Sequence, residues 1–183
     1  MTGKTDVALA DRCTKANDAK CDLYVSIHHD SGIEGGTGGG TTVFMYPSGS
    51  ATSKVLRDTI YDKVIEITGL KGNRANPKTT ADYYVLRKTN MPAALIECGF
   101  MDSATDTPII LTDDFAQKAA LGIARGILAT LGIDYSKLES ETDDEMQDLV
   151  TKVQRKYGFE AKTMEYLLDY EYAQALLERL LEK

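Results

Sequence analysis

The apolar and polar positions at the start of the chain predict a helix followed by a strand. Between residues 6 and 20, Leu9, Cys13 and Ala16 recur at the spacing that places side chains on one face of a helix. Residues 22–28 then form a run of strand-favouring residues that ends in polar side chains. We therefore expect one helix and then one strand at the start of the domain.

A glycine-rich segment follows this predicted strand. Residues 31–40 include six glycines, too many for a regular element, and lead into a second strand-like run at residues 41–46. The composition predicts a mobile loop between two strands. Because the loop comes directly after the polar strand end, it either borders a substrate groove or acts as a lid; a tolerated surface insertion is the alternative.

Two longer segments have the pattern of amphipathic helices. Ser48 or Ser50 is placed to cap the first, and Gly69 is placed to end it. The second begins at Asp113 or Asp114. Each helix has one apolar stripe, which predicts that it packs against a core. The stripes are Leu56, Ile60, Val64 and Ile67 in the first helix, and Phe115, Ala119, Ile123, Ile127 and Leu131 in the second.

Two short β-like runs lie between these helices, at residues 83–87 and 93–97. Strands that alternate with covering helices predict an α/β fold with a twisted, mostly parallel sheet and helices on both faces. The nearly continuous apolar character of the strands agrees with burial on both sides.

The composition changes after Gly132. Residues 136–145 are acidic and polar, and Thr142 with Glu145 has the pattern of a capping box that opens a new helix. We therefore expect one domain over residues 1–135 and a small helical segment over residues 136–183. The first helix of that segment has an apolar face, which Gly158 would end: Met146, Leu149, Val150, Val153 and Tyr157.

Charge and composition exclude several classes of partner. The 28 acidic and 21 basic residues give a net charge of −7, which disfavours nucleic-acid binding. No apolar stretch approaches the roughly 18 residues of a membrane-spanning helix. We expect neither nucleic acid nor a membrane as a partner. Three cysteines without C-x-x-C spacing predict free thiols instead of a disulfide framework or a cysteine zinc cluster.

The two histidines of the chain, His28 and His29, are adjacent at the end of the first predicted strand. Successive side chains of a strand point to opposite faces, so at most one of them is expected to bind a given metal. A hydrogen-bonded structural histidine is the alternative.

Glu97 is the second candidate for chemistry, since it comes at the carboxyl end of an apolar strand, where open α/β sheets form ligand crevices. A buried, unpaired carboxylate is costly, so we expect a cation, a metal-bound water or donors nearby. The alternative is a structural glutamate paired with Arg87 or Arg74.

Several ordered blocks of the chain resemble the zinc-dependent N-acetylmuramoyl-L-alanine amidase family, and their order and spacing agree over about residues 3–133. The blocks are Asp6–Asn17, Asp22–His28, Tyr84–Arg87, Met91–Pro92 and Leu95–Phe100. Other zinc hydrolases, such as carboxypeptidases, match these blocks less well.

The resemblance implies a reaction and two site residues. In that family the histidine of the Ser-Ile-His block is a zinc ligand, and the glutamate of the Glu-x-Gly-Phe block is the catalytic acid/base, which implies that His28 binds zinc and that Glu97 is catalytic. The implied substrate is peptidoglycan, cleaved at the amide between N-acetylmuramic acid and the L-alanine of the stem peptide.

Substrate-binding residues are left unassigned. His29 and Asp30 replace residues that are commonly a small residue and an asparagine in the family. Arg74, Asn76 and Arg87 suit a substrate that carries carboxylates, although each is also consistent with a solvated surface residue.

The resemblance also implies an earlier strand with a histidine in an Asp-Pro-Gly-His-Gly-like turn and a helix with a glutamate ligand, and neither pattern occurs in the sequence. One imidazole should hold zinc weakly. We therefore expect the remaining ligands to come from a segment upstream of Met1, which would make the chain a fragment or an internal-start product. The competing hypothesis is a non-catalytic wall-binding or interaction remnant of the amidase scaffold.

The resemblance implies action at the bacterial cell wall, either by a secreted autolysin or by a phage endolysin released at lysis. The first residues lack the apolar core of a secretion signal. Residues 136–183 are then a wall-targeting module, a helical hairpin that forms a homodimer, or a cap over the domain's own core.

Overall fold

The computed structural model describes residues 6–134, Asp148 and residues 150–158. The elements of the first part, in chain order, are α1 (Leu9–Asp18), β1 (Tyr24–Asp30), β2 (Thr41–Met45), α2 (Ala51–Thr68), β3 (Lys78–Thr80), α3 (Tyr84–Lys88), β4 (Ala93–Phe100), α4 (Thr107–Ile110) and α5 (Asp113–Thr130).

The chain divides into two compact units, Met1–Ile133 and Asp134–Lys183. The boundary predicted at residue 136 and most of the predicted helical segment lie outside the described residues. Asp148 and residues 150–157 are helical, as the apolar pattern of this stretch predicts. Gly158 follows with a φ of +66°, and Val150 and Val153 are buried.

The four strands of the first unit form one sheet with the order β1-β4-β2-β3. β1 pairs with β4 and β2 with β3 in parallel, whereas β2 and β4 are antiparallel. This mixed sheet confirms the prediction of an α/β fold with a mostly parallel sheet. β1 is an edge strand in this sheet, and its Ile27 is 59% exposed.

Helices cover both faces of the sheet, as the sequence predicts. One face packs against α2 and α5 in the larger apolar core, whose members include Leu56, Ile60, Ile96 and Ile123. The other face packs against α1 and α3 in a smaller core. The members of that smaller core are Cys13, Phe44, Val85, Leu86, Ala93 and Leu95. In the part of the chain that the structure describes, no helix is long and apolar enough to cross a membrane.

Local signals set the ends of α2, as the sequence predicts. The Ser50 hydroxyl accepts a hydrogen bond from the Ser53 backbone N–H at 3.1 Å, and Gly69 ends the helix with a φ of +70°. Against α5, the packing is unusually close, because a Cβ at Gly126 would lie 2.6 Å from the Ile60 Cα. A glycine at this position therefore lets the two helix backbones approach each other.

The strand predicted at residues 83–87 is wrong, because Tyr84–Lys88 form the short helix α3. The Tyr83 carbonyl accepts hydrogen bonds from the N–H groups of Leu86 and Arg87. A short apolar run fits a buried strand or a buried helix turn equally well, and only packing on the sheet chooses between them. No pattern in the sequence predicted β3 or α4.

Candidate active site

The two site residues that the sequence predicts lie side by side in the structure. β1 and β4 pair in parallel with His28 opposite Glu97. Strand alternation places both side chains on the sheet face that packs against α1 and α3, together with Ser26 and Leu95. The sheet register therefore brings an imidazole and a carboxylate together near the carboxyl ends of β1 and β4, which continue past them to Asp30 and Phe100.

Glu97 is a partly buried carboxyl group with an unsatisfied oxygen. Its Oε2 atom is buried and has no hydrogen-bond partner among the described residues. Burial raises the pKa of Glu97 to about 7; the Asp30 carboxylate adds to the rise, and the Arg74 guanidinium opposes it. A carboxyl group with this pKa can accept and return a proton near neutral pH.

The alternative in which Glu97 pairs with Arg74 or Arg87 is not seen among the described residues. Arg74 donates to the Asp30 carboxylate, with 2.9 Å between Nη2 and Oδ2, and Arg87 pairs with Asp82. Neither arginine forms an ion pair with Glu97 in the described part of the chain. The described contacts therefore do not support the alternative in which Glu97 is a structural residue paired with an arginine.

His28 and His29 have different contacts, as strand alternation predicts. The Nε2 atom of His28 lies 2.7 Å from the Ser26 hydroxyl, which leaves Nδ1 as the nitrogen that could bind a metal. Burial, Arg12 and His29 lower the pKa of His28, so the neutral ring that a metal requires is favoured. The Nδ1 atom of His29 instead lies 2.9 Å from the Cys98 carbonyl oxygen.

A bulge in β4 directly follows Glu97. The pairing shifts from His28 with Glu97 to Asp30 with Phe100, so two residues of β4 stand opposite one residue of β1. Gly99 lies in this bulge with a φ of +92°, a backbone conformation that favours glycine. The shift returns the Phe100 ring to the same side as Asp30, where the Arg74 guanidinium lies 4.9 Å from the ring centre.

Tyr83 completes the surroundings of Glu97, and no motif in the sequence marks it as a site residue. Burial raises its pKa, and the charges of Glu97 and Asp30 raise it further. Its ring packs edge-on against Phe44 at 5.3 Å. A small, mostly apolar cavity of about 160 Å³ separates this ring from the imidazole. The cavity is lined by Leu9, Ser26, His28, Tyr83, Tyr84, Val85 and Leu95.

Strand alternation could have found Ser26, because it lies two positions before His28 on the same face. No local signal identifies Tyr83 as a site residue. It was included in the strand predicted at residues 83–87, and that strand is absent from the described structure. Of the other polar candidates, Asn76 is exposed. Arg87 lines a separate cavity of about 360 Å³ together with Ser50 and Asn90.

The glycine-rich loop at residues 31–40 is anchored by side chains from the segment that follows β4. The Asp102 Oδ2 atom accepts hydrogen bonds from three successive backbone N–H groups at residues 32–34, at 2.8 to 2.9 Å. Its Oδ1 atom is buried and has no partner in the part of the chain that the structure describes. The Asp106 Oδ2 atom accepts from the N–H groups of Gly40 and Phe100 at 2.7 and 3.0 Å. These contacts anchor the glycine-rich loop to the segment after β4, and the mobility of the loop stays a prediction.

The described residues do not by themselves fit a zinc ion. A catalytic zinc takes three protein ligands and a water molecule. In residues 6–134, 148 and 150–158, no group of three histidine, cysteine, aspartate or glutamate side chains is arranged to hold a metal. His28 offers one nitrogen, and the orphaned Glu97 oxygen fits a proton acceptor next to such a site. Within these ranges the ligand set for zinc is therefore incomplete.

Comparison with known proteins agrees with the family resemblance. Residues 1–129 match the family described as N-acetylmuramoyl-L-alanine amidase. The chain is 37% identical over 121 residues to the sporulation-specific N-acetylmuramoyl-L-alanine amidase of Bacillus subtilis, covering 66% of this chain and 45% of that protein. It is 36% identical over 139 residues to an endolysin of Bacillus phage SPP1, covering 73% and 49%. The chain thus spans about half the length of the curated relatives it matches.

A solved structure has the same fold. The crystal structure of an N-acetylmuramoyl-L-alanine amidase from Clostridium difficile 630 superposes with a TM-score of 0.65 and 29% sequence identity. The match covers 72% of this chain and 69% of that chain. Both sequence and fold therefore point to the same group of proteins.

Proposed function

The chain belongs to the N-acetylmuramoyl-L-alanine amidase family, and on that premise we propose that the protein hydrolyses peptidoglycan at the amide between N-acetylmuramic acid and the L-alanine of the stem peptide. The observation that carries the proposal is Glu97, whose buried Oε2 atom has no partner among the described residues and whose pKa is raised to about 7.

Glu97 is the proposed general base and acid. As a carboxylate it takes a proton from the water that attacks the amide carbonyl, and it then passes that proton to the nitrogen of the leaving L-alanine. A pKa near 7 suits both halves of this transfer, because the group is readily protonated and readily deprotonated at neutral pH.

His28 is the proposed ligand for zinc, the metal that the family resemblance implies. Its support is the contact between Nε2 and the Ser26 hydroxyl, which orients the ring as partners of metal-bound imidazoles do. The other ligands would have to come from residues outside the described part of the chain. We place the reaction at the bacterial cell wall, because the proposed substrate, peptidoglycan, is located there.

The test is digestion of purified peptidoglycan, followed by measurement of new L-alanine amino termini and of free muramic acid carboxyl groups. Replacing Glu97 by glutamine keeps the shape and removes the proton acceptor, and should lower the rate by about 10²–10⁴-fold. The matched control is Asp102→Asn, which changes a carboxylate of the loop anchor. Cleavage at another bond, or full activity in Glu97→Gln, would contradict the proposal.

A second candidate is a wall-binding protein that does not cleave. It is favoured by one observation, the lack of a three-residue ligand group in the described ranges. Sedimentation with insoluble peptidoglycan separates the two functions. Binding without release of stem peptides, both with and without added zinc, would support the wall-binding protein over the enzyme.

A further inference from the structure

Arg74 is near enough to Glu97 for its charge to lower the pKa of that carboxyl group, and it is held by two contacts of its own. Its Nη2 atom donates to Asp30 at 2.9 Å, and its guanidinium packs over the Phe100 ring at 4.9 Å. The Asp30 carboxylate is itself oriented, since its Oδ1 atom accepts the Ser31 backbone N–H at 2.9 Å. The direction of the guanidinium is therefore set before any ligand arrives, which lowers the entropy cost of binding.

The segment that carries Arg74 is anchored without the arginine. The neighbouring Asn73 side chain accepts the Gly39 backbone N–H at 3.0 Å. The backbones of Gly40 and Gly72 approach so closely that a Cβ at Gly40 would lie 2.4 Å from the Gly72 Cα. An ion pair as exposed as that of Arg74 and Asp30, at 35% and 27% of their side-chain surfaces, adds little to stability.

The negative charge around Glu97 means that an anionic ligand needs a cation such as the Arg74 guanidinium in order to bind. The whole chain has a net charge of −7, and both Asp30 and Glu97 are acidic, so a negatively charged ligand meets repulsion. A guanidinium has five N–H donors in a planar fork, and Asp30 is contacted through Nη2. The remaining donors suit a second carboxylate.

We propose that Arg74 binds a free carboxylate of the peptide whose amide Glu97 attacks, with Asp30 and Phe100 as the residues that position the guanidinium. The proposal rests on the proposed function for the identity of the peptide. It assigns the site a preference for acidic stem peptides over their amidated forms.

Two soluble muramyl tripeptides test this preference. Both have an amidated carboxyl terminus, and they differ only in whether the second residue carries an α-carboxylate (D-glutamate) or an α-carboxamide (D-isoglutamine). Binding is measured by calorimetry on the full chain with Glu97→Gln, so that the ligand is not consumed. We expect the acid to bind about tenfold more tightly, because hydrogen bonds to charged groups are the stronger ones.

Arg74→Gln should remove the tenfold difference, and Arg74→Lys should keep part of it, since it retains the charge without the planar fork. Arg87→Gln is the matched control: Arg87 also pairs with an aspartate and packs near an aromatic ring, but it lines the cavity that contains Ser50 and Asn90. It should leave the tenfold difference unchanged. Thermal melting of each variant confirms that it is folded.

Equal affinity for the two tripeptides overturns the proposal, as does a preference that survives in Arg74→Gln, one lost equally in Arg87→Gln, or no binding of either peptide at millimolar concentration. The wall-digestion assay separates this result from the proposed function. Cleavage without preference contradicts only the role of Arg74, whereas preference without cleavage contradicts only the hydrolase.

Discussion

Glu97 and the two aspartates that follow it, Asp102 and Asp106, have opposite surroundings although they are close in the chain. Asp106 is 2% exposed, and its Oδ2 atom accepts two backbone hydrogen bonds. The Asp102 Oδ2 atom accepts three. No hydrogen bond to the Glu97 carboxylate is found within the described ranges, and its Oε2 atom is buried.

The difference is one between a structural role for the two aspartates and the chemical role proposed for Glu97. Backbone N–H groups stabilise the ionised form of a carboxylate and tie two segments together, so the aspartates anchor the glycine-rich loop. A carboxyl group that is partly buried without donors keeps its proton to higher pH and remains available to exchange it. Within the described ranges the Glu97 carboxylate accepts no hydrogen bond, whereas Asp102 has one buried, unpartnered oxygen but accepts three backbone hydrogen bonds at the other. This difference supports the reactive role proposed for Glu97.

The largest effect on stability is expected from removing the anchor at Asp106. Asp106→Ala leaves the N–H groups of Gly40 and Phe100 buried without an acceptor, and should lower the free energy of unfolding by about 3 kcal/mol. Asp106→Asn keeps an acceptor oxygen and should cost clearly less. Urea unfolding measures both. A loss below about 0.5 kcal/mol in the alanine variant would show that these bonds do not anchor the loop.

A smaller, pH-dependent effect is expected at Glu97. Its pKa is raised from 4.5 to about 7 in the folded protein, so the folded state resists an ionisation that the unfolded state undergoes. The native protein should therefore lose stability relative to Glu97→Gln as the pH rises from 4.5 to 7, with a constant difference outside this window. Melting temperatures across this range measure the difference.

Glu66→Gln is the control for this series. Glu66 is paired with Lys63, which lowers the pKa of the carboxyl group, so the native protein should not lose stability relative to this variant as the pH rises. If the native protein loses stability equally relative to Glu97→Gln and to Glu66→Gln as the pH rises, the effect is not specific to the buried Glu97 carboxyl group.

The smallest effect is expected at Asp102. Hydrogen bonds from the N–H groups of Glu34 and Gly32 lower its pKa below 3.8, so the carboxylate contributes stability above pH 3.8 and loses that contribution as the pH falls through the lowered pKa. The difference between the native protein and Asp102→Asn should shrink in acid. Melting curves above and below pH 3.8 test this, and a difference that grows in acid would have the wrong sign.

The sequence by itself predicted the features that depend on local chemistry. Periodicity and the residues Ser50 and Gly69 located α2, because caps and apolar stripes act within a few residues of one helix. Strand patterns placed His28 and Glu97 at the ends of apolar strands, and alternation separated His28 from His29. The α/β class followed from the order of these elements.

Only the tertiary structure decided which side chains meet. The turn of α3 forms where the sequence favours a strand, because packing on the sheet outweighs the propensity of a short run. The loop anchors join residues 32–40 to Asn73, Asp102 and Asp106, which no local pattern connects. The same holds for the pair of Arg74 and Asp30. The pKa of Glu97 likewise depends on burial and on charges from distant segments, and those exist only once the chain has folded.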